Sequence, residues 1–146
     1  MFLSVYVLFA CNEEAFVTTI PYAPVSFKVD LDGLDGGLKG ALNVKIFTTD
    51  DKRTDFDRFG YAGVFLVRNA TDNDLYAFDL CCPYDAADKT RVEPNTSGEA
   101  VCPKCGSVYV TLYGRGDVKS GPSQKSLQVY RVIRDKMREN SYYITN

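Results

Sequence analysis

Histidine is absent from all 146 residues. Without it the chain has neither the commonest general base of neutral pH nor the commonest nitrogen ligand for transition metals, which excludes histidine triads, zincin-type motifs and histidine-ligated haem. No apolar run approaches the ~20 residues that a membrane-spanning helix needs. Positive charge is not in excess either, since 17 Lys and Arg stand against 19 Asp and Glu for a net charge of −2. No basic block is offered to a phosphate backbone, so nucleic acid is not an expected partner. Helical periodicity is also missing: from residue 25 onward no stretch of about twelve residues repeats its apolar positions at the helical spacing.

The composition that remains is 45% hydrophobic, 25% charged and 13% aromatic, the profile of one soluble globular domain. A domain of this size buries roughly two thirds of the surface of its unfolded chain, so it needs no disulfide framework to stand. Short alternating apolar runs punctuated by Gly, Pro, Asn and Asp predict an all-β fold. Strands are expected from Val25 and Phe27 onward, at Leu42 to Phe47, Gly63 to Asn69, Leu75 to Leu80, Ser107 to Tyr113, Leu127 to Arg134 and Tyr142 to Thr145. Asp30-Leu31-Asp32-Gly33-Leu34-Asp35-Gly36-Gly37 is dense in turn residues and lacks the spacing and terminal Glu of an EF-hand, so it reads as a turn. Asp50 to Phe59 is a long polar connection with room for a short helical turn, and Asp50, Asp51, Asp55 and Asp57 read as a solvated loop without an opposing carboxylate pair. Arg115-Gly116-Asp117 reads as a β-turn, and the tyrosines and phenylalanines as core or cross-strand pairs.

Met1 to Ala10 is almost wholly apolar and gives way abruptly to Cys11-Asn12-Glu13-Glu14. Ten residues are too few to span a bilayer but suit the apolar region of a secretory signal. Leu8-Phe9-Ala10-Cys11 resembles the lipobox of bacterial lipoproteins, although no Lys or Arg precedes the apolar run and Phe9 is bulkier than usual there. That resemblance implies a signal segment over 1–11, lipidation of Cys11, and a lipid-anchored place in the bacterial cell envelope, facing the periplasm or the cell surface. Glu13-Glu14 is similar to export signals on surface lipoproteins of Bacteroidota. The competing reading makes residues 1–10 a buried edge strand and Cys11 an ordinary small apolar residue.

The remaining cysteines, Cys81, Cys82, Cys102 and Cys105, fall in two short proline-containing turns, one just after an expected strand and one just before another. Cys102-Pro103-Lys104-Cys105-Gly106 is a C-x-x-C turn, whose backbone lets two thiolates face a common centre, the usual half of a zinc or iron-sulfur site. In Cys81-Cys82-Pro83 the adjacent side chains of an extended chain point to opposite faces, so one of the two is expected to be core or a redox partner unless a tight bend turns both inward.

Cys82-Pro83-Tyr84 and, after residues 85–101, Cys102-Pro103-Lys104-Cys105-Gly106-Ser107-Val108-Tyr109 resemble the paired cluster-binding loops of Rieske domains. The tail Gly121-Pro122-Ser123-Gln124-Lys125-Ser126-Leu127-Gln128-Val129-Tyr130-Arg131-Val132 is similar to the segment that closes their small subdomain. The resemblance covers roughly Val44 to Arg134 and implies one Rieske-like β domain over 25–146, a β-sandwich base carrying a cysteine-loop subdomain at about 78–122. Cys82 and Cys102 match the family's cysteines, while Tyr84 and Cys105 stand where its histidines belong, so the family's own ligand set is broken.

By that resemblance the metal ligands are Cys82, Cys102 and Cys105, with Cys81, Tyr84 or Asp85 as the fourth. A 2Fe-2S cluster or zinc is the expected cofactor, and electron transfer to an envelope or redox partner is the expected role. The alternative is a cluster-free structural or interaction module held by a disulfide between the two loops. No nucleophile and base can be paired, so a self-contained catalyst is not expected, only a component of an oxidoreductase system.

Overall fold

A computed structural model describes residues 19–146, so the lipidation site read at Cys11 and the signal segment 1–11 lie outside the described residues. The strands run in order β1 (Val25–Asp30), β2 (Val44–Phe47), β3 (Arg58–Phe59), β4 (Val64–Arg68), β5 (Leu75–Asp79), β6 (Glu93–Pro94), β7 (Glu99–Val101), β8 (Val108–Val110), β9 (Asp117–Ser120), β10 (Val129–Arg134) and β11 (Ser141–Thr145). Among the described residues the helical elements between them are short 3-10 turns, at Gly36–Lys39, Thr49–Asp51 and Ala86–Asp88. The all-β expectation holds, and no helix among the described residues is long and apolar enough to cross a membrane.

Seven strands form one sheet in the order β2-β4-β5-β10-β11-β1-β3, and four form a second in the order β6-β7-β8-β9. The large sheet folds over because β10 belongs to both of its halves: Val129 and Tyr130 pair with β5, and Arg131 to Arg134 pair with β11. Inward residues from all seven strands then share one core, including Val25, Phe27 and Val29 of β1, Val64 and Leu66 of β4, and Ile144 of β11. The outer strands approach each other through Phe47 of β2 and Phe59 of β3, whose rings stack at 6.5 Å, so the sheet nearly closes.

The β4–β5 hairpin is buried on both faces, which is why it reads in sequence as continuous apolar runs. Its second face, with Phe65, Val67 and Phe78, packs against the small sheet in a second core that includes Leu80, Val92, Ala100 and Tyr109. That core contains Cys81, Cys82 and Cys102.

Several expected strands are shorter than read. Leu42 has φ 59°, which is not a strand conformation, so β2 starts at Val44. β8 keeps only Val108–Val110, and the two-to-four-residue strands β3, β6, β7 and β9 add to the expected set.

The acidic loop from Asp50 to Phe59 departs from the solvated reading at Asp57. Asp57 is buried, accepting from the backbone N–H of Arg53 at 2.8 Å and the Thr54 hydroxyl at 2.7 Å, so it caps its own loop instead of facing solvent. Asp35 lies within a plain turn, as read, but is fully buried. It accepts from Arg53 at 2.7 and 2.9 Å, Lys45 at 2.8 Å and the Asp30 N–H at 2.9 Å.

Candidate metal centre

The first cysteine loop leaves the end of β5 at Asp79 and is held in a ladder. The Cys82 N–H donates to Thr90 O at 2.8 Å, the Val92 N–H donates to Leu80 O at 2.7 Å, and Cys81 bridges to Arg91. Because this backbone is extended, the two neighbouring side chains diverge. Cys81 Sγ donates to the Cys82 carbonyl at 3.6 Å, while Cys82 Sγ faces the second loop. Cys81 is fully buried, and burial first, then the charge of Asp79, pushes its thiol up to about 12.

The second loop joins β7 to β8. Its turn is closed by the Gly106 N–H donating to Cys102 O at 3.0 Å and the Cys102 N–H donating to Ser107 O at 2.8 Å. Gly106 sits at φ +76°, left-handed backbone that a residue with a Cβ adopts at a cost, and this is what folds the C-x-x-C segment back on itself. Ser107 then ties the turn down. Its hydroxyl accepts from Cys105 Sγ at 3.2 Å and from the Ser123 N–H at 3.0 Å, so the tail after Gly121 braces the loop.

The two loops bring Cys82, Asp85, Cys102 and Cys105 together, with one donor atom of each within 4.8 Å of every other. Cys82 Sγ lies 3.7 Å from Cys105 Sγ, and Cys102 Sγ donates to Asp85 Oδ2 at 3.4 Å. Cys82 and Cys102 are buried, and Cys105 and Asp85 are partly so. Cys81 and Tyr84 are outside this group, Tyr84 being 57% exposed. All four described cysteines are unbonded thiols.

The electrostatics suit a cation. Burial would raise the Asp85 carboxyl, but hydrogen bonds from the Cys105 and Cys102 thiols and the charge of Lys104, whose Nζ is 3.6 Å away, outweigh it and hold the group below its usual range. Lys104 also pairs with Asp88. Burial pushes the Cys102 thiol up to about 12, against the pull of the Cys105 and Lys104 backbone N–H groups. Without a cation, then, Cys102 keeps its proton at neutral pH. The hydroxyl of Tyr109 lies 3.2 Å from Cys82 Sγ and is itself held protonated by burial and that contact.

The spread of the donors discriminates between metal groups. Four ligands around one zinc, with Zn–S about 2.3 Å, lie at the corners of a tetrahedron whose edges are about 3.8 Å. The 3.7 Å between Cys82 and Cys105 matches that edge, and the 4.8 Å limit requires only slight closure. A two-iron cluster fits less well, because two irons and their bridging sulfides must separate its ligand pairs by more than one such edge. The family's mixed cysteine and histidine set is closed to a chain with no histidine, and an all-cysteine set would need Cys81, whose sulfur is turned away.

No protein-family model and no curated protein matches the sequence. Among solved structures, the plasma membrane Rieske protein PetC3 of the cyanobacterium Synechocystis PCC 6803 is similar at 21% identity and a TM-score of 0.45, over 57% of this chain and 76% of that one.

Two contributors to this centre were not singled out in sequence. In sequence both Ser107 and Tyr109 belong to the expected strand Ser107 to Tyr113, with nothing in the local pattern to mark either as part of a site. Asp85 was one of three options for the fourth ligand. The ladder that turns Cys82 inward carries Tyr84 out to solvent and brings the Asp85 carboxylate to Cys102.

Proposed function

We propose that this protein is a metal-binding domain of Rieske-like architecture in which Cys82, Asp85, Cys102 and Cys105 enclose a single zinc ion. The observation that carries this reading is the convergence of three sulfurs and one carboxylate oxygen within 4.8 Å of one another. Thiolates with one carboxylate suit zinc, and a closed set of four leaves no open position for substrate, so the ion's role is structural. It would hold together two loops that otherwise meet only through side chains, and binding would release the thiol protons, including that of Cys102.

On the resemblance at Leu8 to Cys11, the domain is tethered to the envelope of a bacterium through Cys11, with an envelope protein as its partner. Electron transfer through a two-iron cluster has less support, since Cys81 is not directed into the centre. The cluster-free alternative keeps one favourable observation, the short distance between Cys82 and Cys105.

Metal analysis of protein purified without oxygen tests the reading. One equivalent of zinc per chain, no colour, and an intense sulfur-to-cobalt band after substitution with Co(II) are expected, with all three lost in Cys102→Ser. Brown protein containing iron and acid-labile sulfide would overturn it. The tether is tested separately: Cys11→Ser should move the protein from the detergent phase to the aqueous phase, and a variant that stays membrane-bound would refute the anchor.

A further inference from the structure

Asp79 ends β5, in the same strand-to-loop segment as Cys82, and is fully buried although it is not among the ligands. Its carboxylate gathers four donors from three separate segments. Oδ1 accepts from the Cys81 N–H at 2.7 Å and the Ala62 N–H at 3.3 Å, while Oδ2 accepts from the Tyr61 N–H at 2.9 Å and the Tyr130 hydroxyl at 2.8 Å. The circuit closes on the far side of the loop, where Arg91, the residue that bridges to Cys81, donates from Nε to Ala62 O at 2.7 Å. Gly60 permits the close approach: a Cβ there would lie 2.7 Å from both Asp79 Oδ2 and the Tyr130 hydroxyl.

We infer that Asp79 is the positioning residue of the metal centre, pinning the Cys81-Cys82 loop to the Tyr61–Ala62 turn and to β10 so that the Cys82 sulfur already faces the second loop before an ion arrives. This rests on the zinc reading above. Two carboxylate oxygens can accept from all four donors at once, whereas an asparagine in the same place has one acceptor oxygen and turns an N–H₂ group toward two donors. A loop fixed in advance leaves less conformational freedom to be lost on binding, and supporting hydrogen bonds around metal ligands are typically worth about 10- to 100-fold in affinity.

The test compares the full-length wild type, Asp79→Asn and Tyr130→Phe. Zinc affinity is read by competition with a chromophoric chelator, and ligand geometry by the Co(II) charge-transfer band. In zinc-free reduced protein, the rates of maleimide labelling at Cys81 and Cys82 relative to Cys105 are read by peptide mass. Asp79→Asn should weaken zinc binding about tenfold or more, shift the Co(II) band and speed labelling of Cys81 and Cys82. Tyr130→Phe, which removes one of the four donors, should do the same to a smaller degree.

A purely structural role would lower the melting temperature while leaving affinity, spectrum and relative labelling at wild-type values, and that result overturns the inference. If wild type itself takes no zinc, the metal reading fails alone, and the zinc-free labelling decides the role of Asp79, with unchanged relative rates refuting it. If Asp79→Asn does not fold, Tyr130→Phe carries the comparison, and wild-type affinity and labelling in that variant overturn the inference.

Discussion

Cys82 and Cys105 are 23 positions apart in sequence, yet their Sγ atoms lie 3.7 Å apart across the two loops. The same proximity that suits two ligands of one ion also suits a disulfide when no ion is present. Oxidised glutathione, given to zinc-free protein, should therefore yield a Cys82–Cys105 bond: both thiol protons leave, and the reagent takes up the two electrons as two glutathione thiols. Cys105 is the more exposed of the pair and should form the mixed disulfide first. Non-reducing peptide mapping reads the pairing, and zinc-loaded protein should resist it. A bond to Cys81 would contradict the turn of that buried sulfur away from the second loop.

A shared ion makes thermal stability depend on metal. At free zinc of 100 times the dissociation constant, binding adds about 2.7 kcal/mol to the folded state. For a domain of this size that corresponds to roughly 10 °C. A strong chelator should therefore lower the melting temperature by about this amount, and a reductant should not. Cys102→Ala and Cys105→Ala should reach the chelated value without further response to chelator. Sensitivity to reductant and not to chelator would favour the disulfide form.

The strands that could be read from sequence are those whose burial is periodic or continuous, such as β1, with Val25, Phe27 and Val29 facing in, and the β4–β5 hairpin, buried on both sides. β6, β7 and β9 were missed because Glu93–Pro94, Glu99–Val101 and Asp117–Ser120 are short and half-buried, and owe their pairing to the loops they frame. At the site, the cysteines and their spacing were visible. Which of Cys81 and Cys82 faces inward was not, because that depends on a ladder with Thr90 and Val92 that no local pattern announces. The burial of Asp35 was hidden for the same reason, since its partner Arg53 lies 18 positions away. A lone acid interrupting the apolar run from Leu75 to Cys82 was the available signal for Asp79.

Asp35 should give the fold an acid limit. Burial alone would raise its carboxyl, but hydrogen bonds from Arg53, Lys45 and the Asp30 backbone outweigh that and lower it from 3.8 to about 2. The depressed value means that the folded state favours the ionised form, so the stabilisation is complete above the unfolded value and is lost as pH falls from about 4 through about 2. Its size is about 2 kcal/mol. Asp35→Asn should be less stable than wild type by roughly that amount or more at pH 6, because Arg53 and Lys45 lose a buried partner, and the difference should shrink as pH falls toward about 2. Urea unfolding across this range is the check, and a pH-independent difference would show that the ion pairs are not its source.

Two glycines beside the metal centre share left-handed backbone but differ in their surroundings, which separates conformational strain from collision. Gly106 has φ +76° with nothing within 4 Å of a built Cβ. Gly121 has φ +97°, and a Cβ there would lie 2.5 Å from Ser107 Cα and 2.9 Å from Ser107 N. Alanine at 106 should cost about 1–2 kcal/mol, the penalty of the left-handed conformation. Alanine at 121 adds a clash with backbone that no rotamer change relieves, so it should cost a further 1–3 kcal/mol or so. Relief requires Ser107 to move, and Ser107 carries the hydrogen bonds from Cys105 Sγ and the Ser123 N–H. Gly121→Ala should therefore also weaken zinc binding, although residue 121 touches no ligand. Unfolding and chelator competition on the two variants measure both effects. Equal destabilisation by the two substitutions would mean that the Gly121 segment does not brace the cysteine turn.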